Sequence, residues 1–111
     1  MQTGLKEAKA QGKPIFIDFT GYTCTNCRWM EANIFSKPAI ARDLNRFVKV
    51  RLYTDGDGEV YTSQQDYENK HFGTVALPLY ALLDSSGNTI DTSAGVTRDV
   101  NAFAGFLNKA K

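Results

Sequence analysis

The chain's two cysteines, Cys24 and Cys27, stand three residues apart in Cys24-Thr25-Asn26-Cys27. That step lets two sulfurs meet without rearranging the backbone, so the pair can close and open a disulfide. Exchange runs by thiolate attack: Cys24, at the exposed end of a helix, attacks a disulfide and forms a mixed disulfide. Cys27, one turn deeper, then attacks Cys24 and releases the reduced product. Where such a pair opens a helix, the unpaired N–H groups and the positive end of the macrodipole favour the thiolate. They draw the Cys24 pKa below the usual value of about 8.5. Two cysteines at this spacing also occur as plain core residues, or as half a metal site completed by a partner. With one distant histidine, His71, they are too few for a closed zinc site within the chain. Redox chemistry is the favoured reading.

Asp18 interrupts the apolar run Ile15-Phe16-Ile17-Asp18-Phe19. A carboxylate there is costly unless paired or neutral, so a raised pKa is expected. Six residues before Cys24, it is placed to lie under the helix start and exchange a proton with Cys27; the plainer alternative is a polar strand end facing water. Glu31 follows Cys27 by four residues and shares its helix face, and an acid–base role and an ordinary exposed glutamate stand level on spacing alone. His71 reads as a favourable cation near a helix C-terminus. Asp55-Gly56-Asp57-Gly58-Glu59 hints at a calcium loop, but its glycine and final Glu are misplaced for an EF-hand, and a solvated turn is expected. Trp29 is either a docking surface or packed partly against the sheet.

The elements that must position these residues follow from periodicity. A helix is expected from Thr3 to Gln11, stopped by Gly12 and Pro14. A buried strand spans Ile15–Phe19 and ends at Gly21. A helix from Cys24 to Phe35 has Thr23 as its expected N-cap, and Pro38 breaks it from a second stretch through Ile40 and Leu44. Phe47–Tyr53 alternates as a strand. Tyr61–Phe72 reads as a polar, exposed helix, Leu79–Leu83 as a third strand, and Ser85-Ser86-Gly87-Asn88 as a hairpin turn into a short strand over Thr89–Thr92. Thr97 is expected to cap a last helix whose Val100, Phe103, Phe106 and Leu107 are core. The order α-β-α-β-α-β-β-α implies a mixed sheet with helices on both faces.

At 111 residues the chain is one domain's worth. Thirteen basic against 12 acidic side chains, with no long run of either sign, point away from nucleic acid and from a polybasic membrane anchor. No apolar stretch is long enough to cross a bilayer, and Met1 is not followed by a secretory leader. A cytoplasmic protein, or a domain cut from something larger, are the two readings of that start.

The segment Phe16-Ile17-Asp18-Phe19-Thr20-Gly21-Tyr22-Thr23-Cys24-Thr25-Asn26-Cys27-Arg28-Trp29-Met30-Glu31 resembles the thioredoxin superfamily. More narrowly, it resembles the C-terminal thioredoxin-like domains of DsbD-type thiol:disulfide interchange proteins, which Gly12-Lys13-Pro14 and Leu77-Pro78 also fit. The resemblance covers nearly the whole chain. It implies an α/β, thioredoxin-like three-layer sandwich over residues 1–111, built as the C-terminal domain of a larger membrane protein. Cys24 is then the nucleophile and Cys27 the resolving thiol, with Asp18 and Glu31 tuning them. Pro78 matches the cis-proline that faces the pair, keeps metal off it, and leaves the Leu77 backbone free for an extended substrate; from sequence alone it is only a strand-entry proline. Tyr22 and Thr23 complete the expected substrate contacts. No cofactor beyond the Cys24–Cys27 disulfide and no metal are implied.

The same resemblance implies protein thiol and disulfide partners: a membrane electron-donor domain and acceptors in the cell envelope, cytochrome c biogenesis among their uses. A monomer in the periplasm is expected, with a cytoplasmic home as the alternative. The expected reaction is reduction of partner disulfides. Its rivals are oxidase- or isomerase-type exchange, and a non-catalytic docking module with a static disulfide. The chain departs from the family in two places: Tyr22-Thr23 stand where a Trp usually precedes the first cysteine, and Thr25-Asn26 replace Gly-Pro. Both bear on thiolate stability, so the redox poise does not transfer.

Overall fold

The computed structural model describes residues 2–110. Four strands form one mixed sheet in the order β2-β1-β3-β4, namely β1 (Ile15–Thr20), β2 (Val48–Tyr53), β3 (Leu79–Leu83) and β4 (Thr89–Ala94). β1 runs parallel to β2 and antiparallel to β3, and β3 is antiparallel to β4. A central strand must bury both faces, which is why β1 and β3 are apolar along nearly their whole length.

Alternation along β1 assigns its side chains to two cores. Ile15, Ile17 and Phe19 join Leu52, Leu79 and Ala81 beneath α1 (Gln2–Gln11) and α4 (Glu59–Phe72). Phe16 faces the other side, where Tyr80 and Leu82 meet Met30 of α2 (Thr25–Met30), Ile40 of α3 (Pro38–Leu44) and Phe103 and Leu107 of α5 (Val100–Asn108). Helices on both faces of a mixed sheet make the expected three-layer sandwich. The second core is dense in rings: Phe16 stacks on Tyr80 at 5.7 Å, and both meet Phe103 edge-on.

Local boundaries depart from the sequence reading in instructive ways. α2 continues into a π-helical turn, Glu31–Phe35, and Pro38 starts α3 at its first turn, where its missing N–H is not needed. Asp99, not Thr97, caps α5 by accepting the Asn101 N–H at 2.9 Å. β4 reaches Ala94. α4 starts at Glu59 rather than Tyr61 and is mostly exposed, as expected, but one side turns Tyr67 and Phe72 towards the first core and Glu68 is completely buried.

Candidate redox site

β1 delivers the chain to Gly21-Tyr22-Thr23, and α2 begins immediately after Cys24. Cys24 itself is the N-cap, with extended backbone (φ −78°, ψ 102°) and a sulfur that accepts the Cys27 N–H at 3.1 Å. This corrects the expectation for Thr23 and has a chemical consequence. The sulfur occupies the position a capping oxygen would take, so one orphan amide of the helix start, that of Cys27, points at it. The two cysteines are joined as a disulfide with Cα atoms 5.2 Å apart. Cys24 is half-buried while Cys27 is sealed in the core, the asymmetry that an attacking and a resolving thiol require.

Thr23 is used elsewhere. Asp55, in the loop after β2, accepts the Tyr22 N–H at 2.8 Å, and the Thr23 N–H and Thr23 hydroxyl at 3.2 Å each. These bonds hold the Asp55 carboxyl below its usual pKa, because they favour its charged form. Gly21 makes the approach possible: a Cβ there would lie 2.7 Å from Asp55 Oδ2 and 3.1 Å from Leu77 Cδ1. The same contact places Leu77-Pro78 beside the β1–α2 junction. The Leu77–Pro78 bond is cis, and the Pro78 carbonyl is taken by the Gly95 N–H at 2.8 Å.

Asp18 points to the sheet face that α2 covers, between Phe16 and Thr20 on β1. Burial pushes its pKa up to about 6; Arg51 opposes that shift, Glu31 adds to it, and Arg28 opposes it. Oδ2 lies 3.6 Å from Arg51 Nε, the residue in register with it on β2, and Oδ1 has no hydrogen-bond partner. The solvent-facing alternative for Asp18 is therefore set aside. An open-mouthed cavity of about 320 Å³, lined by Asp18, Phe16, Phe35 and Arg51 among others, connects this carboxyl with water. Glu31 pairs with Arg28 at 3.0 Å, and the same guanidinium donates to Thr20 Oγ1 at 2.7 Å, tying α2 to the end of β1. Trp29 is half-buried beneath the Arg98 guanidinium, 5.0 Å away, and His71 packs on Tyr67 in the last turn of α4.

Of the residues singled out from sequence, Leu77 packs against Gly21 at the start of this turn, Glu31 is tied through Arg28 to Thr20, and Asp18 shares the buried face of β1 with Thr20; Asp55, Arg28 and Arg51 were missed. Arg51 was within reach, since an arginine on the edge strand that pairs with an interrupted central strand is the natural counter-charge. Asp55 was not, because its bonds go to backbone amides that no side-chain pattern marks.

A family model described as a thioredoxin-like domain matches residues 1–111. The chain is 28% identical over 106 residues to the thiol:disulfide interchange protein DsbD of Actinobacillus pleuropneumoniae serotype 5b (strain L20), covering 94% of this chain and 17% of that protein. It is 32% identical over 95 residues to DsbD of Yersinia pestis (strain Pestoides F), covering 86% and 15%. The chain thus spans less than a fifth of the length of these relatives. Its fold is similar to that of the C-terminal domain of Neisseria meningitidis DsbD in the reduced form, with a TM-score of 0.75 at 17% identity, covering 99% of this chain and 93% of that one. With its Cys24–Cys27 disulfide at the start of α2, this chain belongs to the thioredoxin-like domain family.

Proposed function

We propose that this chain reduces disulfides in partner proteins by dithiol exchange, as the electron-carrying domain of a membrane-anchored interchange protein facing the periplasm. The observation that carries the reading is the capping sulfur of Cys24, half-exposed and backed by the buried Cys27. In the reduced form, the Cys24 thiolate attacks one sulfur of the partner's disulfide and expels the other as a thiolate, which takes a proton. Cys27 then gives its proton to Asp18, which exchanges it with water through the adjoining cavity. The Cys27 thiolate attacks the Cys24 sulfur and expels the partner's second sulfur as a thiolate, which takes a proton from water; the Cys24–Cys27 disulfide remains, and two electrons have passed to the partner. Glu31 acts on Asp18 through its charge, and its pairing with Arg28 keeps α2 on β1. Tyr22, Thr23, Leu77 and Pro78 surround the approach to Cys24. An upstream membrane domain restores the dithiol. Similarity to the DsbD proteins supports the envelope setting, and no helix among the described residues is long and apolar enough to cross a membrane.

The direction of transfer is tested by equilibrating the pair against defined thiol–disulfide buffers. A reduction potential near that of thioredoxin, about −270 mV, supports a reductant, whereas one near about −120 mV overturns it in favour of an oxidase. A Cys27→Ser variant should accumulate mixed disulfides with its partners; a docking module with a static disulfide would trap none.

A further inference from the structure

Three tyrosines meet at the rim of the redox site. The Tyr22 ring, two residues before Cys24, stacks on Tyr53 with centroids 4.1 Å apart and planes 17° from parallel. Tyr61 stands edge-on to it at 5.8 Å, and the Tyr22 and Tyr61 hydroxyls share a hydrogen bond of 3.0 Å. Tyr22 is held from below as well, through its N–H on Asp55. Yet 54% of this residue remains exposed. A large ring fixed on three sides and left open on the fourth has no role in the core. Its ordering has already been met in the free chain, which is what a preorganised contact surface requires.

The surroundings decide what such a surface takes. From Asp55 to Asn69 the chain carries the exposed carboxylates Asp55, Asp57, Glu59 and Asp66, the buried Glu68, and no Lys or Arg. Asp57, in the loop, and Glu59, the first residue of α4, are exposed, and that loop abuts Tyr61 so closely that a Cβ on Gly56 would lie 2.6 Å from the Tyr61 ring. Aromatic faces among uncompensated carboxylates attract cations through the ring quadrupole and the net field together. Of the arginines, Arg28 is engaged by Glu31 and Thr20, and Arg51, which lies beside Tyr53, is paired with Asp18.

We propose that the Tyr22–Tyr53–Tyr61 platform, with Asp57 and Glu59, selects disulfide-bearing polypeptides that carry an arginine or lysine beside the reacting cysteine. The platform is continuous with Cys24, so a partner in the mixed disulfide must lay its flanking residues near it. The inference rests on the oxidoreductase reading and adds to it the chemistry of the preferred partner.

The test uses three matched peptide disulfides that differ in one residue next to cysteine: Arg, Glu or Phe. Second-order rate constants for their reduction by the dithiol form are compared at low ionic strength. The Arg peptide should react faster than the Glu peptide by about five- to tenfold, and about 0.5 M salt should shrink that gap. Tyr22→Leu leaves every charge in place, so a fall of the Arg-to-Glu ratio by about two- to fivefold would assign the ring its part. Asp57→Asn with Glu59→Gln should lower the ratio similarly. Equal rates for Arg and Glu, a clear preference for Phe, or a ratio indifferent to Tyr22→Leu would overturn the proposal. Failure to reduce any of the three peptides would instead sink the oxidoreductase reading, and this one with it.

Discussion

Glu68 offers the sharpest test of the packing. It lies on α4, fully buried, and neither carboxyl oxygen has a hydrogen-bond partner. Burial pushes its pKa from 4.5 up to about 7. A carboxyl that holds its proton more tightly in the folded state makes folding less favourable as pH rises. The loss begins near the unfolded value of 4.5 and is complete above about 7. At 1.36 kcal/mol for each pKa unit, the full loss is about 3 kcal/mol. Replacing Glu68 with Gln removes the titration but leaves a buried amide with its own unmet bonds, a cost that does not vary with pH. The informative quantity is therefore the difference between pH 8 and pH 4.5 in the stability change caused by Glu68→Gln. Urea unfolding at the two pH values should show the variant gaining about 3 kcal/mol relative to the parent on going from pH 4.5 to 8. A difference that is flat with pH, or one of opposite sign, would refute the reasoning, because it would mean that Glu68 is charged and paired in the native state.

Asp18→Asn should abolish an inflection near pH 6 in the rate at which Cys27 resolves mixed disulfides, and slow that step by about 10- to 100-fold above it. Arg51→Leu should move the inflection upward, since Arg51 is what holds the Asp18 pKa down; both are read by stopped-flow reduction of a mixed disulfide across pH, and an unmoved inflection would assign it to another group. Gly21→Ala pushes a methyl against Asp55 and Leu77, and should cost about 1–3 kcal/mol in urea unfolding. Asp55→Ala should cost about 1 kcal/mol through the lost bonds to Tyr22 and Thr23. Because both act on one contact, the double variant should lose less than the sum, and strict additivity would show the two to be independent.

The parts of the fold that were legible share one property: their signal is carried by neighbours in sequence. Ile15–Phe19 announced a buried strand by its apolarity, and Asp18 stood out as the one residue that interrupts that run. Phe103, Phe106 and Leu107 announced the buried face of α5 by helical spacing. What was missed depends on residues distant in sequence. Glu68 looks ordinary in a polar helix, and only the packing of Tyr67 and Phe72 against Phe19 turns that side of α4 inward. Thr23 is a good N-cap by type, but Asp55, 32 residues away, takes its hydroxyl and leaves the cap to Cys24. The widening of the helix at Glu31–Phe35 has no counterpart in the apolar spacing, which α-helical periodicity fits equally well.

The two aspartates near Cys24 show how context divides one residue type into two roles. Asp18 is walled in by Phe16 and Tyr80, faces one guanidinium at 3.6 Å, and has an oxygen with no partner, so desolvation outweighs attraction and its pKa rises to about 6. Such a group can hold a proton and give it up near neutrality. Asp55 stands in water and receives three hydrogen bonds, so its pKa falls and it stays ionised through the same range. Exchanging their tasks would fail on both sides. An ionised anchor at Asp18's position would meet the full cost of burial, and a proton-holding group at Asp55's position would release the Tyr22–Thr23 turn whenever it became neutral. In the proposed relay, the strand-to-helix step that presents Cys24 uses one carboxyl that titrates and one that does not, and burial sorts them.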